Sequence, residues 1–160
     1  MDFKKLRIIT HQPERSENLR TKRKGILIHK LLSLYNPKED LGTTLKRALL
    51  ALGENPNEWD EKELLEPVKR LLQNESIRKW FEREAFSELE LVDQEGNLHR
   101  VDRLLVDKRE VWAIEFKVGK KRPEHLEQLK GYVNLLKEIF PDKLVHGALL
   151  YVESGELTLI

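Results

Sequence analysis

The chain has 160 residues, no cysteine, and 29 basic against 28 acidic side chains, for a formal net charge of +1. That length allows one domain with a real hydrophobic core, and the missing cysteines exclude disulfides, zinc–thiolate sites, a cysteine nucleophile and a cysteine-held iron–sulfur cluster. No apolar run approaches the roughly 18 to 20 residues that cross a bilayer, and no signal-peptide core opens the chain, so a cytoplasmic protein without a membrane partner is expected, and with charges balanced any nucleic-acid affinity must come from local patches.

In chain order, residues 1–20 carry Pro13 and no sustained periodicity, and read as an N-terminal arm. A basic cluster, Arg20, Lys22, Arg23 and Lys24, suits either a phosphate-binding rim or a solvated helix entry. The stretch from Gly25 to Tyr35, GILIHKLLSLY, is apolar nearly all round and predicts a mostly buried helix stopped before Asn36 and Pro37. TTLKRALLALG predicts a second helix, with Thr43 or Thr44 as its cap and Gly53 at its end. DEKELLEPVKRLLQNESIRKWFERE predicts helical turns interrupted near Pro67, so residues 22–83 are expected to be mostly helical.

After Glu84 the pattern changes to strands. AFSELELV and LHRVDRLLV flank DQEGN, where Gly96 and Asn97 suit a hairpin turn, and VWAIEFKV follows as the third strand of an antiparallel meander. Pro123 opens a helix over about 123–140, with Leu129, Val133, Leu136 and Phe140 as its packing stripe. LVHGALLYV and ELTLI are two more strands around Ser154 and Gly155. The expected class is α/β: one domain over 1–160, its N-terminal half helical and its sheet core over 84–160, a mixed sheet of about four to five strands flanked by helices.

The third strand carries the chemistry. Alternation puts Val111, Ala113, Glu115 and Lys117 on one face and Trp112, Ile114, Phe116 and Val118 on the other. Asp102 interrupts the apolar second strand, on the face of Leu98, Leu104 and Val106. Singly, each has a plain structural reading: a salt-bridged or outward Asp102, and an ion pair between Glu115 and Lys117. Together, two carboxylates on adjacent strands with an ammonium one pleat further on provide oxygen ligands for a hard cation and a group that can orient a water. Lys120, Lys121 and Arg122 beside them suggest a phosphodiester substrate, because phosphoryl transfer needs charge neutralisation.

Asp102 followed by Glu115-Phe116-Lys117 matches the D-(x)n-E-x-K signature of the PD-(D/E)XK nuclease superfamily. The order GILIH, REAF, RVDRLLVD, WAIEFKVG, QLKGY, over about residues 22–155, resembles its RecB-type branch, found at the ends of helicase–nuclease subunits and in smaller stand-alone relatives. The resemblance implies a restriction-endonuclease-like core and metal-dependent hydrolysis of DNA in repair, recombination or end processing. It implies His29, Asp102, Glu115 and the carbonyl of Phe116 as ligands for Mg²⁺ or Mn²⁺, with Lys117 as the catalytic lysine beside Asp102 and Glu115. Gln128 and Tyr132, four apart on the later helix, would face the site and contact DNA or support Lys117. Glu84 of REAF would be auxiliary, with Glu88 and Glu90 as alternatives. Arg100 stands where the family often has glycine, and Glu115-Phe116-Lys117 where it commonly has Asp-Tyr-Lys, a change that preserves the chemistry.

Two residues have bland readings beside these. A lone histidine on an apolar helix is more often a core residue than a ligand, and Gly131, in a helix interior, calls for close approach to the sheet or to substrate. The rival function is a catalytically inactive module that binds DNA ends or scaffolds a helicase; an RNA-directed enzyme stays open. No G-x-x-x-x-G-K-S/T loop is present, so a motor partner would be a separate polypeptide or a missing part of a larger one.

Overall fold

The computed structural model describes residues 16–160, so the expected arm lies outside the described residues up to position 15. From Ser16 onward that segment is helical: α1 spans Ser16–Leu34. Leu27, Ile28, Leu31 and Leu32 are fully buried along it, which matches the apolar run, and the helix ends before Asn36 and Pro37 as expected. Helix α2 spans Leu41–Ala51. Its cap is Asp40, whose carboxylate accepts the N–H of Thr43, in place of the expected Thr43 or Thr44. Thr44 lies a full turn past the cap, buried, with its hydroxyl donating back to the Asp40 carbonyl. Gly53 terminates the helix at φ +66°, a backbone region in which a Cβ is strained.

A short 3₁₀ turn, Pro56–Glu58, leads into α3, Glu61–Leu72, and α4, Glu75–Glu82. The expected interruption near Pro67 does not occur: Pro67 is buried inside an unbroken α3. The break falls instead at Asn74, whose side chain accepts the N–H groups of Ser76 and Ile77 and so starts a new helix. Burial of Leu64, Leu65, Val68, Leu71 and Leu72 around Pro67 offsets the lost main-chain bond. The end of α4 is held by Arg103, which donates to the carbonyls of Trp80 and Arg83 at 3.2 and 3.4 Å and lies over the ring of Phe81. Burial pulls that guanidinium down to about 10.

Five strands follow: β1 Phe86–Val92, β2 Leu98–Val106, β3 Glu110–Lys117, β4 Leu144–Tyr151 and β5 Leu157–Leu159, in that order across one sheet. The first three form the expected antiparallel meander, turned between β1 and β2 by Gly96 at φ +83°. Helix α5, Pro123–Ile139, crosses over so that β4 runs parallel to β3, and β5 returns antiparallel, making the sheet mixed. The expected α/β class, with helices around a five-stranded mixed sheet and a helical N-terminal half, is borne out.

Both faces of the sheet are covered. Ile114, Phe116, Ala148 and Leu150 pack with α1–α4, while Val111, Ala113, Leu149 and Tyr151 pack with α5 through Leu129, Tyr132 and Leu136. Close approach of α5 falls on Gly147 of β4, where a Cβ would sit 2.8 Å from both Val133 and Ile160. At Gly131 a Cβ would meet nothing within 4 Å, so packing against the sheet does not explain that glycine. The parallel crossover brings the ends of β3 and β4 to one edge of the sheet, with α1 on one side and the first turn of α5 on the other. Among the described residues no helix is long and apolar enough to cross a membrane.

Candidate active site

The pairing of β2 with β3 runs from Val106 opposite Val111 to Arg103 opposite Ile114 and stops there. At the next position the side chains replace the ladder. The N–H of Asp102 donates to Glu115 Oε1 at 3.0 Å, and the N–H of Phe116 donates to Asp102 Oδ2 at 2.9 Å. Each carboxylate thus uses one oxygen to satisfy a strand N–H that the ladder has left open. The remaining oxygens meet other partners: Asp102 Oδ1 lies 3.5 Å from His29 Nδ1, and Glu115 Oε2 lies 3.9 Å from Lys117 Nζ.

A distortion in β1 accompanies this opening. Opposite Asp102 stands Glu88, which the β1–β2 register skips and which has φ +53°, the one positive value at a non-glycine among the described residues. Val101 and Leu104, three apart, both face α5, so alternation along β2 fails between them. Strict alternation therefore misplaces Asp102: it does not simply share the face of Leu104 and Val106, and its carboxylate reaches toward α1.

Glu115 is 3 % exposed. Burial, and after it the charge of Asp102, push its carboxyl up to about 8, against the pull of the Asp102 N–H and of Lys117. Lys117 is held from the other side as well, its Nζ donating to Gln128 Oε1 at 2.9 Å. Tyr132, one turn beyond Gln128, is buried in the α5-side core with its ring edge-on to His99. Burial, then Glu115 and Asp102, raise its hydroxyl to about 12. Phe116 packs in the other core, its ring stacked on Phe81.

The donor set suits a hard divalent cation. Asp102 Oδ1 and Glu115 Oε2 are carboxylate oxygens with no main-chain bond, and the charge that destabilises ionised Glu115 is what a cation would neutralise. His29 stands beside Asp102. Among the described residues, however, no group of three His, Asp or Glu side chains is gathered closely enough to hold a metal ion.

Beside these groups lies an open cavity of about 970 Å³. His29, Asp102 and Lys117 line it together with Lys120 and Arg122 of the expected basic cluster, and Ile26 and Leu52 give it an apolar wall. Lys121 does not line it and pairs with Glu156. Glu84 lines a separate cavity with Arg103 and Tyr35, away from Asp102, and the acid at the site's rim is Glu88, bound to Arg100 at 2.9 Å and Lys30 at 4.0 Å. The earlier basic cluster divides too. Arg23 is tied to Glu54 and Glu58, Arg20 lies over Trp59, and Lys24 bridges Glu63 and Glu153; Lys22 lines the cavity.

Sequence reasoning passed over Lys30 and His125, both of which line the cavity. For His125 the signal was helical spacing, since it stands one turn before Gln128; Lys30 only adjoins His29, a spacing that does not put two helical residues on one face, and gave no such signal. Compared with known families, residues 4–158 match the model of the PD-(D/E)XK nuclease superfamily. No curated protein matches the chain.

Proposed function

The chain belongs to the PD-(D/E)XK nuclease superfamily, and from that premise we propose that it is a divalent-metal-dependent deoxyribonuclease that hydrolyses DNA phosphodiester bonds. The observation that carries this reading is the reciprocal bonding of Asp102 and Glu115 to each other's strands, with Lys117 fixed between Glu115 and Gln128. A purely structural ion pair has no use for a second, half-buried carboxylate that raises the first one's pKa.

Asp102 and Glu115 would hold a Mg²⁺ or Mn²⁺ ion, with His29 and the carbonyl of Phe116 completing the set. When bound, the ion supplies charge neutralisation at the phosphate and makes water more acidic. Lys117, with its ammonium restrained by Gln128, orients the attacking water for in-line displacement at phosphorus. Lys120 and Arg122 neutralise neighbouring phosphates along the cavity wall. The motif order from GILIH to QLKGY supports the RecB-type branch, and with it DNA repair or end processing beside a helicase partner.

The test is incubation of the purified chain with end-labelled single- and double-stranded DNA and RNA, with and without Mn²⁺. Metal-dependent DNA cleavage that Lys117→Ala abolishes, with folding and DNA binding retained, is the expected result. Binding without cleavage under all conditions would favour the inactive, end-binding module, and cleavage of RNA alone would move the substrate class.

A further inference from the structure

His125 lies in the first turn of α5 and lines the cavity beside Lys117 and Arg122, yet the chemistry above leaves it without a task. Its Nδ1 is 2.8 Å from the hydroxyl of Tyr151. Tyr151 is 3 % exposed and stands in register with Lys117 across the parallel β3–β4 pair, so the position that places the lysine also anchors the imidazole.

The hydrogen bond fixes the tautomer. A buried hydroxyl needs an acceptor for its hydrogen, and His125 Nδ1 is the one hydrogen-bond partner of the Tyr151 hydroxyl among the described residues. The hydroxyl therefore donates, Nδ1 accepts, and Nε2 of the neutral ring carries the proton. Burial, then Lys117 and Arg122, lower the pKa of His125 and keep it neutral. Its Nε2 makes no hydrogen bond among the described residues. The result is an oriented, uncharged N–H donor in a cavity where most of the other side-chain donors are cations.

We propose that His125 Nε2 donates a hydrogen bond to a non-bridging oxygen of a substrate phosphate, with Tyr151 as its positioning residue, an inference that rests on the nuclease reading above. A contact of this kind differs from a lysine or arginine contact in a measurable way. Neutralising a phosphate releases a counterion and steepens the salt dependence of binding, whereas a neutral donor adds affinity and orientation without changing that slope.

The experiment measures anisotropy of fluorescein-labelled single- and double-stranded DNA oligonucleotides in EDTA, where no cleavage occurs, over a range of salt. His125→Ala is expected to weaken binding about fivefold to tenfold, the worth of one hydrogen bond, equally at every salt concentration. His125→Gln, whose amide N–H extends to about the place of Nε2, restores most of the affinity. Tyr151→Phe, which leaves no unpaired hydroxyl and serves if His125→Ala fails to fold, loses about two- to threefold by freeing the ring. Arg122→Ala reduces the salt slope by about 1. In Mn²⁺, His125→Ala raises KM more than it lowers kcat. Wild-type affinity in both His125→Ala and Tyr151→Phe, or a slope reduced as in Arg122→Ala, overturns the proposal while leaving the nuclease reading intact. A wild-type chain that neither binds nor cleaves DNA overturns the nuclease reading first.

Discussion

Asp102 and Glu115 each accept an N–H from the other's strand, Asp102 from Phe116 and Glu115 from Asp102 itself. The exchange ties both acids to the main chain, so their orientation does not wait for a cation. Preorganisation of this kind suits a metal-binding site, and it leaves two carboxyl groups close together with little solvent around one of them.

The first expectation concerns that cost. Glu115 is pushed up to about 8 in the fold, against about 4.3 in an unfolded chain. Because the folded value is raised, the fold is penalised for the ionised acid; the penalty is absent below the unfolded value, grows as pH rises, and is complete above the folded one. Glu115→Gln keeps an acceptor for the Asp102 N–H and removes the charge. In metal-free buffer at pH 8 it should be more stable than wild type by about 1 to 3 kcal/mol, with the difference vanishing near pH 4. Thermal melts at the two pH values check this, and Mn²⁺ should then raise the Tm of wild type but not of the variant.

In the proposed mechanism Gln128 would act through Lys117, whose ammonium it accepts from. Removing its acceptor by Gln128→Ala should leave Lys117 free to rotate and lower kcat by about tenfold with KM little changed, while Lys117→Ala loses about 10² to 10⁴. Single-turnover cleavage of a labelled oligonucleotide separates the two, and a Gln128→Ala enzyme with wild-type kcat would remove that side chain from the mechanism.

Glu88 stores backbone strain next to the site, with φ +53° at a residue that carries a Cβ. Glu88→Gly adopts that conformation freely, so its stability should match or exceed wild type despite the lost contacts to Arg100 and Lys30. Glu88→Val resists it and should cost about 1 to 2 kcal/mol, along with most of the cleavage rate as Asp102 is drawn back toward the β1–β2 ladder. Urea titration with parallel activity assays gives both quantities.

Gly131→Ala should stabilise the protein by about 0.5 to 1 kcal/mol, the helix-propensity difference, because open space surrounds the new methyl group. A rise of Tm on this substitution is the check. DNA affinity measured in the same variant tells whether the glycine makes room for substrate.

The sequence was most legible where one physical signal acted alone. Two-residue alternation with Gly96 at the turn defined the β1–β2 hairpin, and Pro123 with a helical apolar stripe defined α5. It was least legible where a local preference met a tertiary one. Pro67 breaks helices by propensity, yet buried leucines on both sides carry α3 through it. Asp40, Thr43 and Thr44 all suit a helix start, and the choice among them depends on where the preceding chain leaves Leu41. Glu84 and Glu88 are both acids near the start of one strand, and only the skipped pairing at Glu88 assigns it to the cavity. Alternation along β2 failed at Asp102 for the same reason, since a positive φ across the sheet leaves no trace in composition.

The groups that line the cavity come from distant stretches of chain: His29 from α1, Asp102 and Lys117 from β2 and β3, and His125 from α5, whose partner Tyr151 lies on β4, which joins β3 only after α5 has crossed the sheet. Non-local pairings of this sort form slowly and late. During synthesis on the ribosome, a half-made chain therefore presents scattered acids and bases, and they come together only when the last strands are in place. For a nuclease of the kind proposed, that order of assembly would make cleavage wait on completion of the fold.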